Sequence, residues 1–263
     1  MRAACFPRHS IILLLSASGL CPAAGTYPTY SAQSIVHAAT QTAEALAPNT
    51  IATIYGQNLS FVTDSAGPSN LNGPALPQTL DGVSVIVGGL LANLYFVSPT
   101  QINFLVPYEL TAGITTLAVV RQGAAGPVVK IQLANTAPGL FQWNGNYAIA
   151  THLNGALVSD AAPAVPDEII VIFAAGLGHT TPDTTSGRIV ASAATIAAAS
   201  QMRIMLAGNP CPPLNVLYAG LTPGFAGLYQ INLKLPSDLP PDPEIRIAFG
   251  PQISPASIQL AVR

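Results

Sequence analysis

The sequence predicts an all-β protein made of two β-sandwiches in tandem. Three observations predict this fold: a strand-like phrase that occurs twice, short apolar runs, and many turn residues. QINFLVP at 101–107 returns as QINLKLP at 230–236. The 263 residues include 22 Gly and 24 Pro, a density that favours short strands over long amphipathic helices. The sequence shows no strand-helix-strand alternation, which is the pattern that would predict a parallel sheet.

The first 25 residues have the order of a secretory signal peptide. Arg2 and Arg8 precede the apolar run 11–20, and small residues follow at 23–25. This run is about half of the ~20 residues that a membrane-spanning helix needs, so we expect no transmembrane segment. Cys21 would be the lipidated residue of a lipoprotein, but the bulky Leu20 before it fits that interpretation poorly. We expect a protein that is secreted, periplasmic or at the cell surface.

Charge and cysteine content limit the partners and the means of stabilisation. Once the signal peptide is removed, seven basic residues stand against 11 acidic ones, and a net charge near −4 argues against nucleic acid as a partner. Cys211 is then the remaining cysteine, so no intramolecular disulfide can form. Two domains of just over 100 residues are large enough to be stable through burial alone.

An internal repeat divides the chain. PNTIATIY at 48–55 returns as PDEIIVIF at 166–173, and IQLA at 131–134 returns at 258–261. The order of the repeated segments is kept and their offsets differ by loop-sized steps, which indicates a duplication. We assign residues 1–25 to the signal peptide, 34–137 to the first sandwich and 138–263 to the second.

The repeated phrase itself predicts a strand with one core face. Its apolar residues alternate with Gln and Asn, and a period of two puts the amides on the non-core face. There they are expected to satisfy neighbouring loop backbone, while a following Pro closes the strand because it cannot donate to a ladder. A structural role is expected, because both copies carry the phrase and a single active site would need it once. The residues concerned are Gln101, Asn103 and Pro107 in the first copy and Gln230, Asn232 and Pro236 in the second.

Two segments of the second copy differ from the first. The run 169–173 is apolar at every position, so the strand should be covered on both faces. We expect its far face to pack against the first domain, giving a fixed pair. The alanine-rich stretch 191–199 favours helix by propensity, and we expect a loop with at most a turn or two of helix.

Several motifs resemble those of a known module. They are IVHAAT at 35–40, LAPNTIATIYGQNLS at 46–60, YFVSPTQINFLVP at 95–107, AAGLGHTTP at 174–182 and YAGLTPGFAGLYQINLKLP at 218–236. The module is a duplicated, uncharacterised C-terminal unit of secreted proteins of soil bacteria, chiefly acidobacteria. The resemblance spans about residues 34–262. It implies two tandem immunoglobulin-like domains of the IPT/TIG kind, and it supplies no site residue.

Catalytic and metal-binding patterns are missing from the sequence. A serine hydrolase needs an activated nucleophile, and no G-x-S-x-G occurs. Cys211 lies between two prolines without a nearby cation to activate it. HExxH and paired CxxC are absent, and His179 with Asp183 would supply two metal ligands at most. We therefore expect no catalytic residue, no metal site, no cofactor and no enzymatic activity.

Aromatic residues are the remaining candidates for a binding site. Phe141, Trp143 and Tyr147 cluster in the segment that joins the two copies. They could stack against a sugar, or they could plug the interface between the domains, where amphipathic rings pack well. We favour the plug. The function expected from the sequence is a non-enzymatic adhesion or scaffold module with an extracellular protein partner, and the alternative is a carbohydrate-binding module with a polysaccharide partner.

Overall fold

The computed structural model describes residues 27–263, and the predicted signal peptide and Cys21 lie outside this range. The predicted all-β sandwich fold is confirmed, since these described residues form 23 short strands. Its helical residues are three single turns of 3-10 helix at Ala32–Ser34, Ala199–Gln201 and Pro213–Asn215. Within residues 27–263, no helix is long and apolar enough to cross a membrane.

The first sandwich consists of two antiparallel sheets. One has the strand order β1-β2-β7-β6-β3, and the other has the order β10-β8-β4-β5 with β9 beside β8. The strands are β1 (Ile35–His37), β2 (Ile51–Tyr55), β3 (Asp64–Ser65), β4 (Val83–Val87), β5 (Leu90–Leu91), β6 (Asn93–Val97), β7 (Gln101–Leu105), β8 (Gly113–Arg121), β9 (Ala124–Ala125) and β10 (Val129–Leu133).

The second sandwich has the same two-sheet plan. Strands β11 and β14 pair with β15, which is followed by β21, β20, β17 and β16; the facing sheet is β19-β18-β22-β23, and β12 and β13 form a separate hairpin. The strands are β11 (Gly139–Leu140), β12 (Gln142–Trp143), β13 (Tyr147–Ala148), β14 (Ala150–His152), β15 (Ile169–Ala175), β16 (Thr180–Thr181), β17 (Thr195–Ile196), β18 (Met202–Leu206), β19 (Asn209–Pro210), β20 (Val216–Leu221), β21 (Tyr229–Lys234), β22 (Ile245–Phe249) and β23 (Gln252–Ile253).

Each sandwich has its own apolar core between its two sheets. In the first, Ile54 and Phe104 from one sheet share a core with Val85 and Leu117 from the other. In the second, residues of β15 and β21 share a core with residues of β18 and β22. Fully burying one such aliphatic or aromatic side chain contributes about 1.5–3 kcal/mol. Burial of the alternate residues of each strand therefore holds each pair of sheets together.

The strand register is the same in both copies. Ala52 lies opposite Phe104 in the first sandwich, and Ile170 lies opposite Leu233 in the second. These positions are offset by 118 residues on the first strand and 129 on the second, and all five pairs of the first ladder recur in the second with the same offsets. A β-bulge also recurs, around Tyr95 in β6 and around the corresponding position in β20.

The repeated phrase occupies its predicted faces, but its amides have a different partner from the one expected. Ile102 and Phe104 are buried, while Gln101 and Asn103 are half-buried on the other face. The amide of Gln101 donates to Oδ1 of Asn103 at 2.8 Å, and the second copy repeats this bond at 3.0 Å. The amides thus bond to each other along the strand rather than to loop backbone. Pro107 and Pro236 lie two residues beyond the ends of their strands.

One connection is longer in the second copy. Val97 and its ladder partner Ile102 are five residues apart in sequence, whereas the corresponding Ala219 and Ile231 are twelve apart. The second copy therefore has seven extra residues between these strands. They fall in the segment 222–228 that joins β20 to β21, which we call the long connection.

The long connection packs against the first sandwich. Ala226 forms an apolar cluster with Leu76 and Leu105. Its amide donates to the hydroxyl of Tyr95 at 3.2 Å, and that hydroxyl in turn donates to its carbonyl. A Cβ at Gly227 would lie 2.8 Å from the backbone carbonyl oxygen of Asn49, and the residue has a φ of 63°, so glycine suits this close approach best.

A second set of contacts between the sandwiches is polar. The amide of Tyr108 donates to the hydroxyl of Ser186 at 2.7 Å, and its own hydroxyl donates to Asp183 at 2.7 Å. That hydroxyl also accepts from the amide of Thr180 at 3.0 Å. Strand β16 and the segment that follows it thus supply these contacts.

The contact predicted through the far face of β15 is not what joins the domains. Ile169, Val171 and Phe173 on this face are half-buried, and none of them belongs to the apolar cluster between the sandwiches. The alanine-rich stretch is mostly loop, as predicted, with a two-residue strand at Thr195–Ile196.

Candidate functional site: a groove between the sandwiches

The candidate site is an open groove of about 330 Å³ at the junction of the two sandwiches. Its floor is the non-core face of β2 and β7, represented by Thr53, Gln101 and Asn103. Its walls carry three aromatic rings and two aliphatic side chains. The wall residues are Tyr95 and Ile51 from the first sandwich, Phe141 from the segment between β11 and β12, and Phe225 and Leu228 from the long connection.

Hydrogen bonds on the floor fix the orientation of its amides. Oδ1 of Asn103 accepts from Nε2 of Gln101 at 2.8 Å and from the hydroxyl of Thr53 at 3.1 Å. The remaining polar atoms of this pair, Nδ2 of Asn103 and Oε1 of Gln101, have no protein partner within residues 27–263. The floor therefore offers a ligand the N–H groups of Asn103 as donors and Oε1 of Gln101 as an acceptor.

The aromatic walls differ in how firmly they are held. Tyr95 stands at the bulge of β6, a feature that re-aims a side chain, and its hydroxyl is anchored to Ala226. Burial raises the pKa of Tyr95 to about 12, so it stays neutral at physiological pH. Phe225 is half exposed, with 50% of its surface accessible. Its ring is available for stacking.

The groove has no charged lining. Apart from the neutral tyrosine, the described residues that line it are amides, a threonine, apolar side chains and alanine. An anion or cation would lose hydration there without gaining a counter-charge. The site therefore suits an uncharged ligand with both apolar and hydrogen-bonding surface.

The structure separates the three aromatic residues that the sequence predicts as a cluster. Phe141 lines the groove. Trp143 and Tyr147 instead face each other across the β12–β13 hairpin, with ring centroids 6.2 Å apart and planes at 39°. Tyr147 packs against the second core. The hairpin is part of the second sandwich, and Phe141 is the member of the three that lies where the two domains meet.

The repeated polar residues are divided in the same way. Gln101 and Asn103 form the floor, while Gln230 and Asn232 form the same amide pair on the second sandwich, outside the groove lining. Sequence reasoning missed Thr53, Tyr95 and Phe225. The seven-residue difference between the copies was the signal that could have identified Phe225.

The histidines lie in three different environments. His37 is buried, and burial lowers its pKa to about 4. His152 pairs with Glu168, which raises the pKa of the histidine. His179 packs its ring against Tyr108 at the polar contact between the sandwiches. In the part of the chain that the structure describes, no three His, Cys, Asp or Glu side chains are placed to hold a metal ion.

Cys211 is a free thiol inside the second core. It is 5% exposed and packs in the apolar cluster of that sandwich. Desolvation raises its pKa, which lowers the thiolate fraction that reacts with electrophiles. Its position is that of a small core residue.

No protein-family model and no curated protein sequence matches the chain. It is similar to the surface glycan-binding protein PbSGBP-B from Prevotella bryantii, at 12% identity and a TM-score of 0.28, covering 89% of this chain and 42% of that one. It is similar to SGBP-B of the Bacteroides ovatus mixed-linkage glucan utilization locus, solved with a heptasaccharide, at 11% identity and a TM-score of 0.34, covering 83% and 42%. The plexin A4 extracellular region matches at 12% identity and a TM-score of 0.30, covering 98% of this chain and 20% of that one. The chain spans less than half of each of these structures, and similarities of this size support no inference about its ligand.

Proposed function

We propose that the protein is an extracellular, non-enzymatic binding protein that holds an uncharged polysaccharide in the groove between its sandwiches. The observation that carries this proposal is the pairing of an amide floor with aromatic walls in a groove without charge. A pyranose ring has an apolar face and a rim of hydroxyls. The rings of Phe141 and Phe225 suit the apolar face, and the amides of Gln101 and Asn103 suit the hydroxyls.

The dimensions of the groove favour a short stretch of a longer chain. Its volume of about 330 Å³ lies at the lower end of the roughly 300–1,000 Å³ of small-molecule sites. The groove is open, and the half-exposed Phe225 stands at its edge. A polymer could therefore extend beyond the groove on either side.

The lining also supports binding rather than catalysis. General acid–base chemistry needs a titrating group near the operating pH within hydrogen-bonding reach of the ligand. The groove contains no carboxylate, histidine, lysine or cysteine among its described lining residues. The ligand would be held without being cleaved.

The test is affinity electrophoresis of the mature chain, residues 26–263, in gels that contain xylan, galactomannan, hydroxyethylcellulose or the charged polygalacturonate. We expect retardation by at least one of the three uncharged polymers and none by polygalacturonate. Phe225→Ala should weaken retardation roughly tenfold or more, because it removes a stacking ring.

Asn103→Ala and Asn232→Ala form a matched pair. Each removes the same amide from the same position of its sandwich, but only the first lies in the groove. We expect Asn103→Ala to lose retardation and Asn232→Ala to retain it. Equal behaviour of the two variants, or a loss with Trp143→Ala alone, would place the site elsewhere. Failure to bind any polysaccharide, with retention on envelope proteins, would favour the adhesion or scaffold role.

A further inference from the structure

We propose that the floor of the groove hydrogen-bonds to two adjacent hydroxyls of one sugar ring, with Asn103 donating to one and Gln101 accepting from the other. This inference rests on the proposed function and names the chemical feature that the groove selects. It follows from the hydrogen-bond polarity of the floor, which Thr53 helps to fix.

The polarity of the pair comes from two hydrogen bonds that one oxygen accepts. Oδ1 of Asn103 is occupied by two donors, the amide of Gln101 at 2.8 Å and the hydroxyl of Thr53 at 3.1 Å. Nδ2 of Asn103 and Oε1 of Gln101 are the outer atoms of this chain of bonds. Because the two side chains are bonded to each other, their outer donor and acceptor are held at a fixed separation.

Thr53 distinguishes the first copy from the second. The residue opposite Asn103 in the ladder is Thr53, whereas Val171 lies opposite Asn232. The second amide pair therefore lacks the hydroxyl donor, although its amide–amide bond is kept at 3.0 Å. Thr53 is buried and acts on the ligand through Asn103, so we assign it as a positioning residue.

The ligand chemistry follows from what these two outer atoms require. A hydroxyl can both donate and accept, so two adjacent hydroxyls satisfy an N–H donor and a carbonyl acceptor together. A methyl ether or a carboxylate can only accept, and either would leave Oε1 of Gln101 without a donor. A site built to bond a hydroxyl discriminates strongly against an analogue that lacks it, because its own polar groups are left unpaired.

Two substitutions test this assignment. Asn103→Asp keeps an oxygen to accept from Gln101 and Thr53 but replaces the donor that faces the ligand by an acceptor. We expect binding about tenfold weaker, measured by affinity electrophoresis with the most strongly retained uncharged polysaccharide. Thr53→Val copies the residue that the second sandwich tolerates at this position, and we expect a smaller loss with unchanged folding. Asn232→Asp is the matched control, and its binding should equal that of the unsubstituted chain.

The ligand is changed in a parallel test. The O-methylated form of the same polysaccharide should not be retained, since it cannot donate to Gln101. If Phe225→Ala loses binding while Asn103→Asp, Thr53→Val and O-methylation leave it unchanged, the groove binds glycan but the hydroxyl-pair assignment is wrong. If no uncharged polysaccharide binds the unsubstituted chain, the proposed function fails and the assignment fails with it. Should Asn103→Asp not fold, Thr53→Val and the methylated polymer decide the question.

Discussion

Nδ2 of Asn49 donates a hydrogen bond of 3.2 Å to the hydroxyl of Tyr229, across the boundary between the two sandwiches. The tyrosine hydroxyl in turn donates to the carbonyl of Gly178. Tyr229 is fully buried, and burial raises its pKa. Asn49 is also buried and has a φ of 63°, a conformation that asparagine tolerates better than most residues. A turn of the first sandwich is thus bonded to the core of the second.

The first prediction concerns this bond. Tyr229→Phe keeps the ring but leaves the amide of Asn49 and the carbonyl of Gly178 unpaired, so we expect the free energy of unfolding to fall by about 1–3 kcal/mol. Urea denaturation measures it. Tyr55→Phe is the control, since Tyr55 is 41% exposed and its hydroxyl donates to the exposed side chain of Gln41. An equal loss for both variants would contradict a special role for the boundary bond.

The second prediction is that the two sandwiches unfold together. Leu105, Leu76 and Ala226 share one apolar cluster across the boundary, and separating the sandwiches would expose it to water. Calorimetry of the mature chain should show one transition. Ala226→Asp buries an unpaired charge in the cluster and should divide the transition into two. Two transitions in the unsubstituted chain would show that the interface does not couple the sandwiches.

The third prediction concerns His37 and acid stability. Its pKa is about 4 in the folded protein against 6.5 for a histidine in water, so between these pH values the unfolded chain binds a proton that the folded chain does not. The stability contributed by neutral His37 is present above pH 6.5 and is lost as the pH falls towards 4, by about 3 kcal/mol. His37→Asn should remove this part of the pH dependence, because asparagine does not titrate. The fold should be kept, because the amide oxygen of asparagine can still accept from the backbone amide of Ala39, as Nδ1 does at 3.1 Å. Urea denaturation at pH 7 and pH 4 checks this prediction. If the free energy of unfolding falls equally between these pH values in His37→Asn and in the unsubstituted chain, the prediction is wrong.

The fourth prediction concerns His152, whose effect on stability depends on pH in the opposite direction to that of His37. Glu168 raises the pKa of His152, so protonated His152 stabilises the folded protein below the unfolded pKa, and this stability is lost as the pH rises through the folded pKa. His152→Gln should therefore destabilise the protein more at pH 5 than at pH 8. The same denaturation series measures this, and a loss that grows with pH would contradict the pairing.

The fifth prediction concerns Cys211. Because the thiol lies inside the second core with a raised pKa, Ellman's reagent should react with it slowly in native protein and rapidly in urea. Non-reducing electrophoresis of native protein should show no disulfide-linked dimer. Rapid labelling without denaturant would mean that this part of the second sandwich opens readily.

The core of each sandwich was predictable because its determinants are local. Alternation in the repeated phrase places Ile102 and Phe104 inside, and the period of two is a property of any strand. The groove was not predictable in the same way. It depends on Phe225 meeting the face that carries Asn103, more than 100 residues earlier, and no local pattern records such a contact. The aromatic cluster was divided for a similar reason, since hairpin pairing turned Trp143 towards Tyr147 and left Phe141 at the boundary.

The long connection has a consequence for how such modules combine. It belongs to the second sandwich but lines a face of the first, while the corresponding amide pair of the second sandwich, around Asn232, lies outside the groove lining in the described residues 27–263. The groove is therefore a property of the junction between two sandwiches, not of one sandwich. In a tandem array in which every module after the first had this connection, the number of grooves would be one fewer than the number of modules, and multivalency would grow with each junction added.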